Sequence, residues 1–303
     1  MTDILVTKAA VRKLAASLSK TDSSSLRHTE RLDLIAEAFG WKTDAFMHAL
    51  KGNVKARLKP GNLPTALRFG PTLDQLGIRL LDTWKRAISS SSGLCLACGA
   101  TGSGRNTTAE ASARYLETIG RRVYTQDDLP SAASGNGDVV LLRYLSDREI
   151  TEQALDFAEK GFLVLAVSPL ESVERVAEVM SHWGLPHTKL GVLRGAISQH
   201  LVRCVCRQCK TKGCESCSNR GYNGRTLASH VVRFHDLEDV QDYLHANDGV
   251  WHGLAWDVVE KLSTRTIDRK EVERVFGDRM LRMVDTRYRF LDVATDGEGD
   301  PHA

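Results

Sequence analysis

Residues 93–108 read GLCLACGATGSGRNTT, and this stretch decides the fold. Residues 93–98 are apolar without alternation, the pattern of a strand buried on both faces. Gly99, Gly102 and Gly104 come next, and Arg105, Asn106 and Thr107 then open an amphipathic stretch that reaches residue 119. Strand, glycine turn and helix in that order bring backbone N–H groups to a helix N-terminus, an arrangement able to surround phosphate oxygens. Productive use of such a loop also requires a lysine on the terminal phosphates and a Ser or Thr hydroxyl on Mg²⁺. Arg105 stands in place of the lysine and Asn106 in place of the hydroxyl. A rigid guanidinium fork fills space differently from an ammonium, and an amide is a weaker, neutral metal ligand. Thr107 has a hydroxyl, but one residue out of register on a helix is a rotation of about 100°. The stretch therefore reads as a strand-to-helix turn that no longer holds MgATP productively.

On either side of it, the pattern predicts helix over 73–89, strand over 122–125, strand over 138–142, helix over 147–159, strand over 162–168 and helix over 170–183. Short buried strands alternating with amphipathic helices produce an α/β fold, a parallel sheet covered on both faces. Past residue 226 the pattern reads as helical. Residues 1–52 read as a small helical unit, and 53–71, rich in Gly, Pro and basic residues, as a linker. The core is expected over 72–200, a cysteine-rich module over 201–226, and a helical C-terminal region over 227–303 ending in the disordered tail ATDGEGDPHA. The stretch LRHTERLDLIAEAFGWKTDAFMHAL is similar to a short helical segment heading some plasmid-borne and glyoxalase-related proteins, which names no chemistry.

The chain has 303 residues, 42% hydrophobic and 26% charged, the composition of a folded protein. No apolar run approaches the roughly 18 residues of a spanning helix, and the N-terminus lacks a signal-peptide pattern, so a cytoplasmic address is expected. Net charge is +3. Its distribution is more informative: residues 201–235 carry seven basic side chains against Glu215 alone, whereas 236–303 carry 9 basic and 16 acidic. Solvated faces, self-association of complementary surfaces and an anionic partner all fit this asymmetry.

Five of the seven cysteines fall at 204, 206, 209, 214 and 217. Cys206-x-x-Cys209 and Cys214-x-x-Cys217 are two knuckles separated by four residues, able to place four thiolates around one Zn²⁺. A closed four-cysteine site offers no open position to a substrate, so the ion would be scaffolding. The alternative is core or redox cysteines, and Cys204 is a competing fifth thiol. Cys95 and Cys98 also form a CxxC, but an extended strand sends positions three apart to opposite faces, which makes them core residues. The basic residues around the knuckles could touch nucleic acid. With Tyr222 the one nearby aromatic, that use is disfavoured.

These motifs together resemble the hexameric secretion ATPases of type II secretion, type IV pilus assembly and conjugation. GATGSGRNTT is similar to that family's phosphate loop, AISQHLVRCVCRQC to the segment entering its zinc module, and GCESCSNRGYNGRTLASHVV to the second knuckle with its GYxGR tail. The resemblance implies a RecA-like P-loop NTPase core with a tetracysteine zinc module and helical N- and C-terminal parts. It carries nucleotide contacts onto Gly99, Gly102, Gly104, Arg105, Asn106 and Thr107, and Zn²⁺ ligands onto Cys206, Cys209, Cys214 and Cys217. Tyr144 stands where the family's water-polarising glutamate belongs, and a phenol is a poor base near neutral pH. Phe162 and Pro169 occupy the two histidine-box positions, while Thr125, Asp127 and Asp128 keep a weakened aspartate box. The degenerate positions Arg105, Asp127 and Tyr144 imply a hydrolysis-deficient relative, zinc-stabilised, serving a bacterial pilus, secretion or conjugation apparatus. Implied partners are a true secretion or pilus ATPase or its membrane platform, in homo- or hetero-oligomers at the inner membrane. The alternatives are a divergent working motor that uses Arg105, Thr107 and Asp127 in altered roles with ATP and Mg²⁺, and a zinc-containing nucleic-acid binder.

Overall fold

A computed structural model of the chain describes residues 70–126, 138–145, 147–246 and 249–295. The chain divides between Phe69 and Gly70, and all the described elements lie in the second unit. The expected helical unit, most of the expected linker, Asp127 with Asp128, and the C-terminal tail lie outside the described residues.

Six strands form one sheet in the order β2-β3-β4-β1-β5-β6: β1 (Gly93–Cys98), β2 (Val123–Thr125), β3 (Val139–Leu142), β4 (Leu163–Ser168), β5 (Leu193–Val205) and β6 (Tyr222–Arg233). The first five are mutually parallel, and β6 pairs antiparallel with β5. Strands β1, β3 and β4 are buried along their whole length, as their unalternating apolar sequences require. Helices α1 (Leu81–Ile88) and α2 (Arg105–Thr118) pack against β5 and β6 and against β1 and β4 respectively. Helices α3 (Arg148–Glu159) and α4 (Val173–His182) join a core with Leu94, Leu96, Cys98, Val140, Val164 and Ala166. Asp147 and Ser172 cap these two helices, their side chains accepting from Ile150 N and Arg175 N. Gly195 lets α1 approach β5, since a Cβ there would stand 2.7 Å from the Cβ of Ala87. Cys95 and Cys98 are both buried, and burial pushes both thiols up to about 12, which leaves them unreactive core residues.

Two expectations are corrected. The helix expected over 73–89 is a 3₁₀ turn at Leu73–Gln75 and the separate α1, because residues 76–79 lie along the open edge of β6. Leu227 N and the Thr226 hydroxyl both donate to Leu76 O, and Arg79 N donates to Ser229 Oγ. Helical geometry cannot serve a neighbouring strand, so the chain turns through left-handed conformations at Gly77, within this stretch, and at Leu80, just after it. The helical pattern expected past residue 226 begins instead as strand β6, and helices start only at α5 (Leu237–His245), followed by α6 (Gly249–Ser263) and α7 (Arg269–Thr295), broken at Gly277. Among the described residues, no helix is long and apolar enough to cross a membrane.

Strand β5 outruns its neighbour. It pairs with β1 from Leu193 to Ser198, after which β6 alone accompanies it to Val205. The protruding hairpin is covered by α6 and α7 through a second core that includes Val202, Ala228, Leu254, Val258, Val272 and Met280. Two buried carboxylates fasten this cover. Asp257 Oδ2 accepts from Ser229 N at 2.6 Å while Lys261 pairs with Oδ1. Glu271, fully buried, accepts from Arg203 N and Nε, both at 2.7 Å, and from Arg274 Nε at 2.8 Å.

Burial opposes the Glu271 charge, yet hydrogen bonds from Arg274 and Arg203 prevail and hold its carboxyl down at about 2. A depressed carboxyl contributes stability that is complete above its unfolded value near 4.5 and lost as pH falls through about 2. Glu271→Gln should therefore flatten the acid limb of stability between those values, read from urea unfolding as a function of pH. Glu271→Ala should cost about 2 kcal/mol at neutral pH, below the usual figure for a broken buried pair because both arginines are half exposed and regain water.

Candidate functional site: the glycine loop and the cysteine cluster

The glycine loop leaves β1 at the C-terminal edge of the sheet. Gly99, Gly102 and Gly104 all have positive φ, and Gly104 caps α2 in the left-handed conformation. A Cβ on Gly99 would lie 2.5 Å from Gln199 O and from Ser103 Oγ, so the loop is folded tightly against β5. Gln199 organises it from below: fully buried, its Nε2 donates to Ser103 O and its Oε1 accepts from the Thr108 hydroxyl, each at 2.8 Å. Loop and first helical turn are thereby tied to the strand that leads to the cysteine module.

The side chains expected to meet phosphate and metal are turned to other work. Arg105 is buried, and its Nη1 donates to Ser168 O at the end of β4. Burial lowers the guanidinium pKa, though it remains a cation at any physiological pH. Asn106 Nδ2 donates to the Tyr144 hydroxyl at 3.3 Å, joining two of the positions expected at the nucleotide site. Tyr144 is 47% exposed at the open end of β3. Thr107 is half-buried on the next helical position. Phe162, at a histidine-box position, packs edge-on against Phe157 in the core. Glycine spacing marked the loop in the sequence, but Gln199 and Ser168 were missed. The signal for Gln199 was weak, an amide between Ser198 and His200 in a strand that also carries Arg194 and Arg203; for Ser168 there was none, because its main-chain carbonyl is the acceptor.

At the tip of the hairpin the four expected cysteines converge. The sulfurs of Cys206, Cys209, Cys214 and Cys217 all lie within 4.8 Å of one another, with 3.8 Å between Cys206 and Cys214 and 3.7 Å between Cys209 and Cys217. A tetrahedron of sulfurs about 2.3 Å from a central ion has edges of about 3.8 Å, so the spacing fits one soft, four-coordinate metal. Gly213 N donates to Cys209 Sγ, while Cys214 N and Gly221 N both donate to Cys217 Sγ. Burial raises the Cys217 thiol, but the N–H groups of Cys214 and Gly221 outweigh it and bring it down to about 6, whereas burial pushes the neighbouring Cys214 thiol up to about 11, so the donors favour a thiolate at Cys217 in particular. Gly221 is needed here: a Cβ would stand 2.6 Å from Thr211 O. Cys204 stays outside the group of four.

The buried amide generates a prediction. Gln199→Ala leaves Ser103 O and the Thr108 hydroxyl without their partner, and should cost about 1–3 kcal/mol in urea unfolding. It should also raise hydrogen exchange in the loop while sparing the hairpin tip.

Residues 135–275 match the family model described as "Type II/IV secretion system protein". The chain is 24% identical over 245 residues to the protein transport protein HofB homolog of Haemophilus influenzae, covering 71% of this chain and 50% of that protein. It is 23% identical over 219 residues to the type II secretion system ATPase E of Vibrio cholerae, covering 55% and 43%. The chain thus spans about half or less of the curated relatives it matches. The solved structure of the Legionella pneumophila ATPase DotB shares the fold at a TM-score of 0.50 and 16% identity, over 67% of this chain and 64% of that one. A domain on residues 135–275 is thus similar to type II/IV secretion system proteins, and the glycine loop sits on a largely parallel sheet whose fold is shared with the ATPase DotB.

Proposed function

We propose that the protein is a hydrolysis-deficient member of the superfamily of secretion and pilus ATPases, acting as a structural or regulatory part of a type IV pilus, type II secretion or conjugation apparatus. The observation that carries the reading is the position of Arg105. The cation that should travel to the terminal phosphates is buried and spent on Ser168 O, and releasing it would leave that carbonyl short of a partner. Phosphoryl transfer relies on positioning and electrostatics, so loss of the loop ammonium, the metal-binding hydroxyl and the glutamate base removes the main contributors together. Asn106 and Tyr144, bonded to each other, do not fit a hydrated Mg²⁺.

In this reading Cys206, Cys209, Cys214 and Cys217 hold Zn²⁺, which supplies no chemistry and closes the hairpin tip. The protein works in the cytoplasm at the inner membrane, docked to a competent ATPase or to its platform in a homo- or hetero-oligomer. A second reading keeps nucleotide without turnover. It is favoured by the open outer side of the loop, where a Cβ on Gly102 would meet nothing within 4 Å. Thr107 and Asp127 are then the remaining candidates for a polar contact.

Three measurements test the proposal. ATP turnover by the purified chain should fall below about one per cent of a competent motor's, the loss expected when even one group stabilising the transition state is removed. Turnover at motor rates that Arg105→Ala abolishes would overturn it. Calorimetry with ATP, with and without Mg²⁺, separates the two readings, binding that is indifferent to Mg²⁺ supporting the second. Elemental analysis should find one zinc per chain, with X-ray absorption giving four sulfurs at about 2.3 Å, and Cys217→Ser should lose the ion.

A further inference from the structure

Between the first cysteine knuckle and the junction of α6 with α7 lies a concave cavity of 540 Å³ that the nucleotide reading does not use. Its floor is apolar, formed by Val205, Leu262 and Ile267. Its rim carries Arg207 and Lys210 from the knuckle and Arg265 from the turn after α6. These three cations are exposed and form no ion pair among the described residues. Arg269 also lines the cavity but is paired with Asp285. The one acidic liner, Asp268, accepts from the Tyr222 hydroxyl at 2.9 Å and from Glu271 N at 2.9 Å, so its oxygens are already engaged.

The rim is built on constrained backbone. Lys210, Thr211 and Arg265 all have positive φ, uncommon for residues with a Cβ. Lys210 N donates to Cys206 O at 2.8 Å, Arg265 N to Leu262 O at 3.0 Å, and Val205 N to Thr266 O at 2.9 Å, so both turns are fixed in place. Cations mounted on fixed turns around an apolar hollow reduce the ordering cost of a ligand. The chemistry selects the occupant. No aromatic side chain lines the cavity, so bases have no stacking platform, which disfavours nucleic acid. An apolar floor has nothing to offer a free phosphate. Its volume suits one or two side chains, and unpaired cations around it call for carboxylates.

We propose that this cavity is a docking site for an acidic peptide segment of a partner protein, an aliphatic anchor on Val205, Leu262 and Ile267 flanked by carboxylates that pair with Arg207, Lys210 and Arg265. The site is independent of the glycine loop and of nucleotide. Of the four cysteines only Cys206 lines it, so the cluster serves as the mount for one wall.

The test uses the purified full chain and a short fluorescein-labelled peptide with a central leucine between runs of glutamate, followed by fluorescence anisotropy. The peptide should bind and weaken as salt rises. A peptide with glutamine in place of glutamate, and the double variant Arg207→Glu with Lys210→Glu, should each lower affinity by about tenfold or more. Lys160→Glu, an exposed cation elsewhere, should change it little, and unchanged thermal unfolding of the double variant confirms that it folds. Equal binding of the glutamate and glutamine peptides would overturn the proposal, as would indifference to the double reversal. So would tighter binding of oligothymidylate or inorganic phosphate that the same reversal abolishes. Self-association lost in the double variant, without peptide binding, would assign the cavity to a second copy of this chain and overturn the partner.

Discussion

The peptide groups of β5 impose the constraint on which the rest of the molecule depends. This thirteen-residue strand has β1 on one side for only its first half. Beyond Ser198 the hairpin must leave the sheet, and its second half stands only if something other than a parallel neighbour covers its faces and satisfies its exit. Gln199 sits at the branch point. It faces the glycine loop with both ends of its amide, and the Asp257 and Glu271 carboxylates then hold α6 and α7 over the protruding part. Nucleotide-type loop, hairpin and C-terminal helices are in this sense one mechanical unit built around one strand.

That construction holds the shape of the loop through contacts made entirely within the protein. Arg105 fastens the first turn of α2 to the end of β4. Asn106 and Tyr144 likewise link α2 to the end of β3. Under the proposed function, each of these contacts inside the protein stands where a competent motor would contact its ligand.

The cysteine cluster has two faces with different consequences. Inwardly, its sulfurs and N–H donors make a metal-sized tetrahedron. Outwardly, the same knuckle presents Arg207 and Lys210 beside the α6–α7 turn. The Arg203 guanidinium, 4.2 Å from the Tyr222 ring centre and bonded to Glu271, connects the two faces. Geometry imposed by a chelated ion at the tip would in this way reach the first turn of α7.

Much of this was legible in the residues. Unalternating apolar runs gave β1, β3 and β4, helical periodicity gave α3 and, three residues early, α4, and CxxC spacing picked out the four sulfurs that converge. All of these are local or nearly local effects. Strand β6 was not legible, because Leu227, Ala228 and Val231 are buried between α1 on one side and α6 on the other, and a strand covered on both faces loses the alternation that distinguishes it from a helix. The break in the expected helix over 73–89 was hidden for a related reason: residues 76–79 give up helical bonds to serve an edge some 150 positions away in sequence. The direction of the Arg105 guanidinium was decided in the same way. Sequence names the cation and its place in the turn, but which oxygen receives it depends on how close β4 ends to α2, a distance that exists only once the sheet is assembled.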